Sequence, residues 1–234
     1  MPNYLLTGAG FTRNWGGPLS SEVGGSLLGD LEHYPELTTI LRKQPFENAF
    51  QGFAPGKNRT AAQQAFQDAV VKLFDRLNNA LLTATFEFRN PPFVGTRVMD
   101  FLAKFDALFT LNQDLLIEEH YIHNFGAGQG KWSGVVLPGM KAVSHDAPHF
   151  GALNQTWQPS GNFSWPDTMQ PYLKLHGSTN WSAGPGQPIL IMGNQKSGAV
   201  GLFPVLRQSH DFFASALKKP NARLMVVGYS FQDE

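Results

Sequence analysis

Two of the most informative side chains are Asn112 and Asp114, an amide and a carboxylate two positions apart. Both follow a predicted strand, so they can address one ligand at its end. Asn112 could bond a sugar hydroxyl or place a water, and Asp114 could accept a hydrogen bond from an amide NH2. The alternative interpretation is structural, because Asn and Asp are also favoured at the N-cap of a helix.

His176 leaves another predicted buried strand and is followed by Gly177. An imidazole at such a strand end is well placed for acid–base chemistry near neutral pH. The alternative is a histidine that only satisfies hydrogen bonds inside the protein.

Two glycine-containing turns complete the set of motifs. Residues 7–12 follow the first predicted strand, where small residues let the main chain approach a diphosphate and the next helix can offer N–H groups to it. The usual dinucleotide-binding spacing fails, because Arg13 stands where the third glycine is required. Residues 227–230 end an apolar strand in Gly-x-Ser and could close over a ribose or phosphate. Simple tight turns are the alternative for both.

The periodicity of apolar residues predicts the elements that position these motifs. Between residues 59 and 82 the apolar side chains recur on one helical face, and residues 96–106 repeat the pattern more briefly. A third helical segment is predicted at 206–218. Strands are predicted at 4–7, 107–111, 172–175, 188–192 and 222–227.

This alternation predicts an α/β fold, a Rossmann-like parallel sheet with helices on both faces. We expect one domain over residues 1–234, with an inserted helical module at about 20–95. An irregular insertion is expected at about 124–171, where glycine, proline and tryptophan are frequent and no period is sustained. In such a sheet, ligands bind at the carboxyl ends of the strands, where all four motifs are predicted to lie.

The composition excludes several other classes of protein. The 234 residues contain 18 basic and 18 acidic side chains. The chain therefore lacks the excess of basic residues that is typical of direct nucleic-acid binding. No apolar run is long enough for a membrane span, and the first residues lack a signal-peptide pattern. A cytoplasmic protein is expected. With no cysteine, the chain has no disulfide, thiol nucleophile or cysteine-bound metal.

Taken in chain order, the four motifs resemble the NAD-binding core of the sirtuins. Residues 8–12 with Gly16-Gly17-Pro18 are similar to the sirtuin Gly-Ala-Gly-Ile-Ser…Gly-Ile-Pro loop, and residues 110–114 are similar to Thr-Gln-Asn-Ile-Asp. Residues 175–178 resemble the catalytic His-Gly motif, and residues 227–230 resemble Val-Gly-Thr-Ser. The motifs span nearly the whole chain, although few residues between them match.

The resemblance implies a role for each site residue. The diphosphate would lie on the 8–12 turn, Asp114 would hold the nicotinamide carboxamide, and Asn112 would position water or the ribose. His176 would act as the base. The implied catalytic residues are His176 and Asn112, and the implied NAD contacts are Gly8, Ala9, Gly10, Thr12, Asp114, Gly177, Ser178, Gly228 and Ser230.

Departures from the family narrow what the resemblance implies. The four zinc-binding cysteines of sirtuins are absent, so no zinc is expected, and Leu19-Ser20-Ser21 replaces the family's Asp-Phe-Arg. The Leu-His-Gly-Ser-x-x-Trp form and the ending at 228–233 resemble a divergent bacterial branch that includes antiphage-defence proteins. By that resemblance the chain would hydrolyse NAD during abortive infection. A homo-oligomer or a partner protein that triggers activity is expected, and the chain could be a fragment of a longer protein.

Three alternatives stay open at this point. A protein deacylase would need a groove for an acyl-lysine peptide, and the missing zinc ligands and long 124–171 segment argue against one. A non-catalytic module could bind NAD or ADP-ribose as a signal, but it would need no base. A metal site would use histidines with ligand-like spacing, namely His145 and His149 with Asp146, or His120 with His123.

Overall fold

A computed structural model describes residues 1–50, 60–88, 97–126, 130–144, 155–184, 187–193 and 196–231. Its strands form two sheets, one of five strands and one of four. The strands are β1 (Asn3–Thr7), β2 (Ala107–Thr110), β3 (Gly134–Val136), β4 (Met140–Ser144), β5 (Gln155–Pro159), β6 (Met169–Lys174), β7 (Gly177–Gly184), β8 (Gln187–Leu190) and β9 (Arg223–Val227).

The larger sheet has the order β3-β6-β2-β1-β9, and each neighbouring pair is parallel. Alternate side chains of its strands enter two different apolar clusters. In β1, Leu5 packs on one face while Tyr4 and Leu6 pack on the other. In β2, Leu108 and Phe109 divide in the same way. Burial of both faces is typical of a parallel sheet covered by helices.

Helices cover both faces of this sheet. The helices are α1 (Ala9–Arg13), α2 (Ser20–Leu27), α3 (Pro35–Lys43), α4 (Phe46–Phe50), α5 (Ala61–Leu82), α6 (Val98–Leu102), α7 (Lys196–Gly201) and α8 (Pro204–Leu217). Phe212 and Phe213 of α8 contact the Phe109 ring on one face. On the other, Leu102 of α6 belongs to the same buried cluster as Leu108. The predicted α/β class with a Rossmann-like sheet is therefore confirmed.

The inserted stretch between β1 and β2 contributes α2, α3, α4 and α5, which bury a core of their own. Its longest helix, α5, begins as the sequence indicates. The Thr60 hydroxyl accepts from the Gln63 main-chain N–H at 3.2 Å, and the Gln63 side chain accepts from the Thr60 N–H at 2.9 Å. This reciprocal capping satisfies two N–H groups that a helix start leaves without partners. The core of the stretch contains Leu27, Leu31, Leu37, Leu41, Phe66, Val70 and Leu73.

The second half of the chain differs from the prediction, which included neither β7 nor α7. The segment at 124–171, expected to be irregular, contains β3, β4 and β5. The strand predicted at 188–192 is β8, which pairs antiparallel with β7 in the smaller sheet, in the order β4-β5-β7-β8. β3, β4 and β5 have only three to five residues each, too few for a sustained period, so the pattern of apolar residues could not reveal them.

Within the described residues, no helix combines the length and the apolar character needed to cross a membrane.

Candidate functional site

The four sequence motifs meet at one edge of the larger sheet. Its register places Lys174, Thr110, Thr7 and Val227 side by side across four neighbouring strands. Each motif follows one of these residues, so all four emerge at the carboxyl edge. The Thr7 hydroxyl donates to the Thr110 hydroxyl at 2.8 Å and joins the two central strands there.

A chain of hydrogen bonds connects the first motif to the second. Nδ2 of Asn112 donates to the Thr12 hydroxyl at 2.8 Å, and that hydroxyl donates to Oδ2 of Asp114 at 2.9 Å. Oδ1 of Asp114 accepts from the main-chain N–H of Leu116 at 3.1 Å, which is the contact that the capping interpretation predicts. Thr12 is buried, so its hydroxyl serves as a link between Asn112 and Asp114.

The same contacts fix which way the Asn112 amide faces. Nδ2 also lies 3.0 Å from the main-chain oxygen of Gly8. A carbonyl oxygen can only accept, so the amide NH2 must face Gly8 and Thr12. Both of its hydrogens are then engaged. The oxygen Oδ1 accepts no hydrogen bond from any residue that the structure describes, and Asn112 is only half-buried. The group that Asn112 can offer a ligand is therefore an acceptor.

The glycines of the first and fourth motifs pack against each other. The N–H of Gly8 donates to the Val227 oxygen at 3.0 Å, and the N–H of Gly10 donates to the Gly228 oxygen at 2.8 Å. A Cβ at Gly10 would lie 2.8 Å from the Gly228 Cα, and one at Gly228 would lie 2.1 Å from the Phe11 nitrogen. Gly228 also has a φ of +69°. Close approach of the two turns accounts for these glycines, which agrees with the tight-turn alternative.

His176 lies between β6 and β7 with 6% of its surface exposed. Its main-chain oxygen accepts from the Ile191 N–H at 2.9 Å. A second histidine, His210 of α8, stacks beside it, with the ring centroids 6.4 Å apart and the ring planes 26° apart. Nε2 of His210 lies 2.9 Å from the Leu175 oxygen, so that nitrogen carries a hydrogen and donates. Sequence reasoning missed His210, because only the packing of α8 on β6 brings it to the site.

Gly177 and Ser178 lie in the interior of the protein. Gly177 has a φ of +77°, and a Cβ there would lie 2.0 Å from the Ile189 oxygen. The Ser178 hydroxyl donates to Oδ1 of Asn180 at 2.9 Å and lies 3.5 Å from the Gln113 oxygen. These residues join the third motif to the second rather than opening onto solvent.

The remaining predicted contacts lie at the rim of the edge. Ala9 is half-buried at the first position of α1, and Ser230 is exposed beyond β9. Of the eleven predicted site residues, four are joined in one group by direct hydrogen bonds, namely Gly8, Thr12, Asn112 and Asp114.

A buried ion pair supports the second motif from within the sheet. Nζ of Lys174 donates to the main-chain oxygen of Asp114 at 2.5 Å and to Oε1 of Glu118 at 2.6 Å. Both side chains are almost fully buried. The Tyr172 hydroxyl donates to the other oxygen of Glu118 at 3.1 Å. Burial raises the pKa of Glu118 above its usual range, while Lys174 opposes that rise. Glu118 begins a π-helical turn (Glu118–Ile122), and such turns are frequent at functional sites.

Asn78 of α5 connects the inserted helices to both sides of the site. Its Oδ1 accepts from the Leu115 N–H at 3.0 Å, and its Nδ2 donates to the Thr179 hydroxyl at 3.3 Å. A polar residue at a buried helical position could have signalled this contact, because α5 is otherwise apolar on that face.

The metal-site alternative receives no geometric support from the described residues, which contain no group of three side chains able to hold an ion. Nε2 of His120 lies 2.6 Å from the Leu81 oxygen, and its ring stacks on Phe86. His123, the second ligand of that pair, directly follows the turn at Glu118–Ile122. The ligands of the other proposed set, His145, Asp146 and His149, lie outside the described residues.

Two cavities lie away from the four motifs. The larger, of about 440 Å³, lies near the amino ends of the strands, and the smaller, of about 240 Å³, is lined in part by Glu118. The residues that line the larger include Tyr4, Trp132, Phe163, Trp165 and Phe212.

Neither a comparison with models of protein families nor one with curated proteins finds a match for this chain. The family interpretation therefore depends on the four motifs.

Proposed function

We propose that the chain is an NAD hydrolase, which cleaves the bond between nicotinamide and ribose and releases ADP-ribose. The observation that carries this proposal is the orientation of Asn112. Its Oδ1 is held as an acceptor at the sheet edge where Asp114 and His176 also lie. An acceptor can hold a water by one hydrogen and leave a lone pair of the water oxygen free to attack.

Cleavage of the nicotinamide–ribose bond needs no general acid. Breaking the C1′–N bond gives an oxocarbenium-like ribose, as in other glycosidic cleavages. Nicotinamide leaves as a neutral molecule, so it needs no proton. Water forms the new bond to C1′ and loses one proton, which His176 accepts in the proposed mechanism. Asn112 holds the water or the ribose hydroxyl, and Asp114 accepts a hydrogen bond from the carboxamide.

The glycine turns take the diphosphate and adenosine ends of NAD in this proposal. The main chain at 8–12 would face the diphosphate, and Gly228 and Ser230 would line the adenosine side. Thr12 contributes through its bonds to Asn112 and Asp114, because its hydroxyl is engaged with both.

The test is an incubation of the purified protein with NAD alone and with NAD plus an acetylated peptide. Nicotinamide and ADP-ribose formed without peptide support hydrolysis. Turnover that requires the peptide identifies a deacylase, and NAD binding without turnover identifies a binding module.

Variants assign the activity to the site. His176→Ala and Asn112→Ala should each abolish nicotinamide release and leave the far-ultraviolet circular dichroism unchanged. His33→Ala is the matched control, because the His33 side chain is 88% exposed and outside the site. Full activity in both site variants contradicts the assignment.

In the cell, we propose that this activity depletes NAD during phage infection, in the cytoplasm, after an oligomer or partner protein has triggered it. Cells that express the chain would lose NAD on infection, and cells that express His176→Ala would keep it. Equal NAD levels in both would contradict the defence role.

A further inference from the structure

We infer that Lys174 and Glu118 form a positioning pair for Asp114, although neither side chain faces the substrate. This inference rests on the proposed function for its catalytic consequence. The positioning of Asp114 itself is inferred from the hydrogen bond between Lys174 Nζ and the Asp114 main-chain oxygen, which are 2.5 Å apart.

Burial of the Lys174–Glu118 ion pair is unfavourable in free energy. Both side chains are removed from water, and burial of two charges is seldom repaid by their mutual attraction. A pair of apolar residues would fill the same space at lower cost. Lys174 donates one of its three ammonium hydrogens to the Asp114 main-chain oxygen in the second motif. An apolar residue could not donate that hydrogen bond.

The oxygen that Lys174 contacts belongs to Asp114, the proposed acceptor for the carboxamide. Asp114 is anchored at three of its atoms: Oδ2 by Thr12, Oδ1 by the Leu116 N–H, and the main-chain oxygen by Lys174. Three anchors fix both the position and the rotation of the carboxylate. Lys174 also lies two residues before His176, so one strand end supports the proposed base and the proposed carboxamide acceptor together.

Glu118 holds the Lys174 side chain in place through its carboxylate. It accepts from Lys174 through one oxygen and from Tyr172 through the other. Glu118 is the first residue of the π-helical turn, and Lys174 connects it to the Asp114 main-chain oxygen.

The variant that tests the inference is Lys174→Met with Glu118→Gln, which removes the contact to Asp114 without leaving one buried charge alone. Tyr172→Phe is the control, because it removes a bond to Glu118 but keeps Lys174 on Asp114. The reporter is hydrogen exchange at the Leu116 amide, whose hydrogen is bound by Asp114, measured against the Leu206 amide in α8. We expect exchange at Leu116 to accelerate about tenfold relative to Leu206 in the double variant only. An unchanged ratio in the folded double variant overturns the inference.

Ligand binding supplies the catalytic readout. Nicotinamide should inhibit the double variant about tenfold more weakly, because its carboxamide acceptor is misplaced. The dissociation constant for ADP-ribose should stay the same, because ADP-ribose lacks the carboxamide. Equal loss of both affinities would indicate a merely structural role. If the unchanged protein releases no nicotinamide from NAD, the proposed hydrolase fails, while the exchange ratio still decides the positioning role.

Discussion

The Thr12 hydroxyl donates to Oδ2 of Asp114 at 2.9 Å, across 102 positions of sequence. The same hydroxyl accepts from Asn112, so one buried oxygen sets the rotation of an amide and a carboxylate at once. The two side chains that the sequence singled out as a pair are thus held together by a third residue from another strand end.

Replacing Thr12 by valine should cost both stability and activity. The valine keeps the shape but leaves the Asp114 carboxylate and one Asn112 hydrogen without their buried partner, a loss of about 1–3 kcal/mol in the free energy of unfolding. NAD turnover should fall about a hundredfold, because the groups move from their working positions. Urea unfolding and nicotinamide release measure the two effects. Thr12→Ser keeps the hydroxyl and should retain most of both, and a serine variant as damaged as the valine variant would contradict this explanation.

Replacing Asn112 by aspartate tests the orientation of the amide. The change places a carboxylate oxygen where Nδ2 now donates to the Gly8 oxygen, so two acceptors would face each other. We expect a loss of about 1–3 kcal/mol in stability and no measurable turnover. Thermal unfolding and nicotinamide release are the measurements. A stable, active aspartate variant would contradict a structural role for the hydrogen bond from Nδ2 to the Gly8 oxygen.

Alanine at Gly228 should be strongly destabilising, because the positive φ alone costs about 1–3 kcal/mol for a residue with a side chain. The added Cβ would also meet the Phe11 nitrogen. Gly25 is the matched control, since it lies exposed in α2 with open space around it. Gly25→Ala should raise the free energy of unfolding by about 0.5–1 kcal/mol. Urea unfolding of both variants checks this, and similar effects at the two positions would refute the packing argument.

The ion pair between Asp30 and Arg76 predicts a pH dependence of stability. The Arg76 guanidinium donates to both Asp30 oxygens, at 3.2 and 2.7 Å, and this hydrogen bonding lowers the pKa of Asp30 below its usual range. A lowered carboxyl pKa adds stability above the unfolded pKa, and that stability disappears as the pH falls through the folded value.

The expected contribution is at most about 1 kcal/mol, because the Arg76 side chain is 53% exposed and water weakens its attraction to Asp30. Urea unfolding of the unchanged protein and of Asp30→Asn should therefore differ at pH 7, and the difference should shrink as the pH falls below the ordinary carboxyl pKa of about 4. A difference that stays constant over this pH range would show that the ion pair is not its cause.

The sequence predicted what depends on local patterns. The apolar spacing at 59–82 predicted α5. The apolar runs before the motifs predicted β1, β2 and β9 to within one residue, whereas β6 begins three residues earlier than predicted. Those runs succeed because strands buried on both faces need an apolar residue at nearly every position.

Contacts between distant residues could not be predicted in this way. The role of Thr12 as a link, the approach of His210 and the anchor from Lys174 all depend on how elements pack. The spacing of apolar residues predicted β8 as a strand but placed it in the parallel sheet, whereas it pairs antiparallel with β7. A short apolar run has the same pattern in a parallel and in an antiparallel sheet.

The register that sets Thr7 beside Val227 has a consequence for biosynthesis. β1 is made early and waits for β2 about a hundred residues later, and closing a loop of that length is an entropic barrier to folding. The turn after β1 is completed only when Gly228 has been translated. A nascent chain on the ribosome therefore lacks the pairing of β1 with β9, and the contact between the two glycine turns, until β9 has emerged.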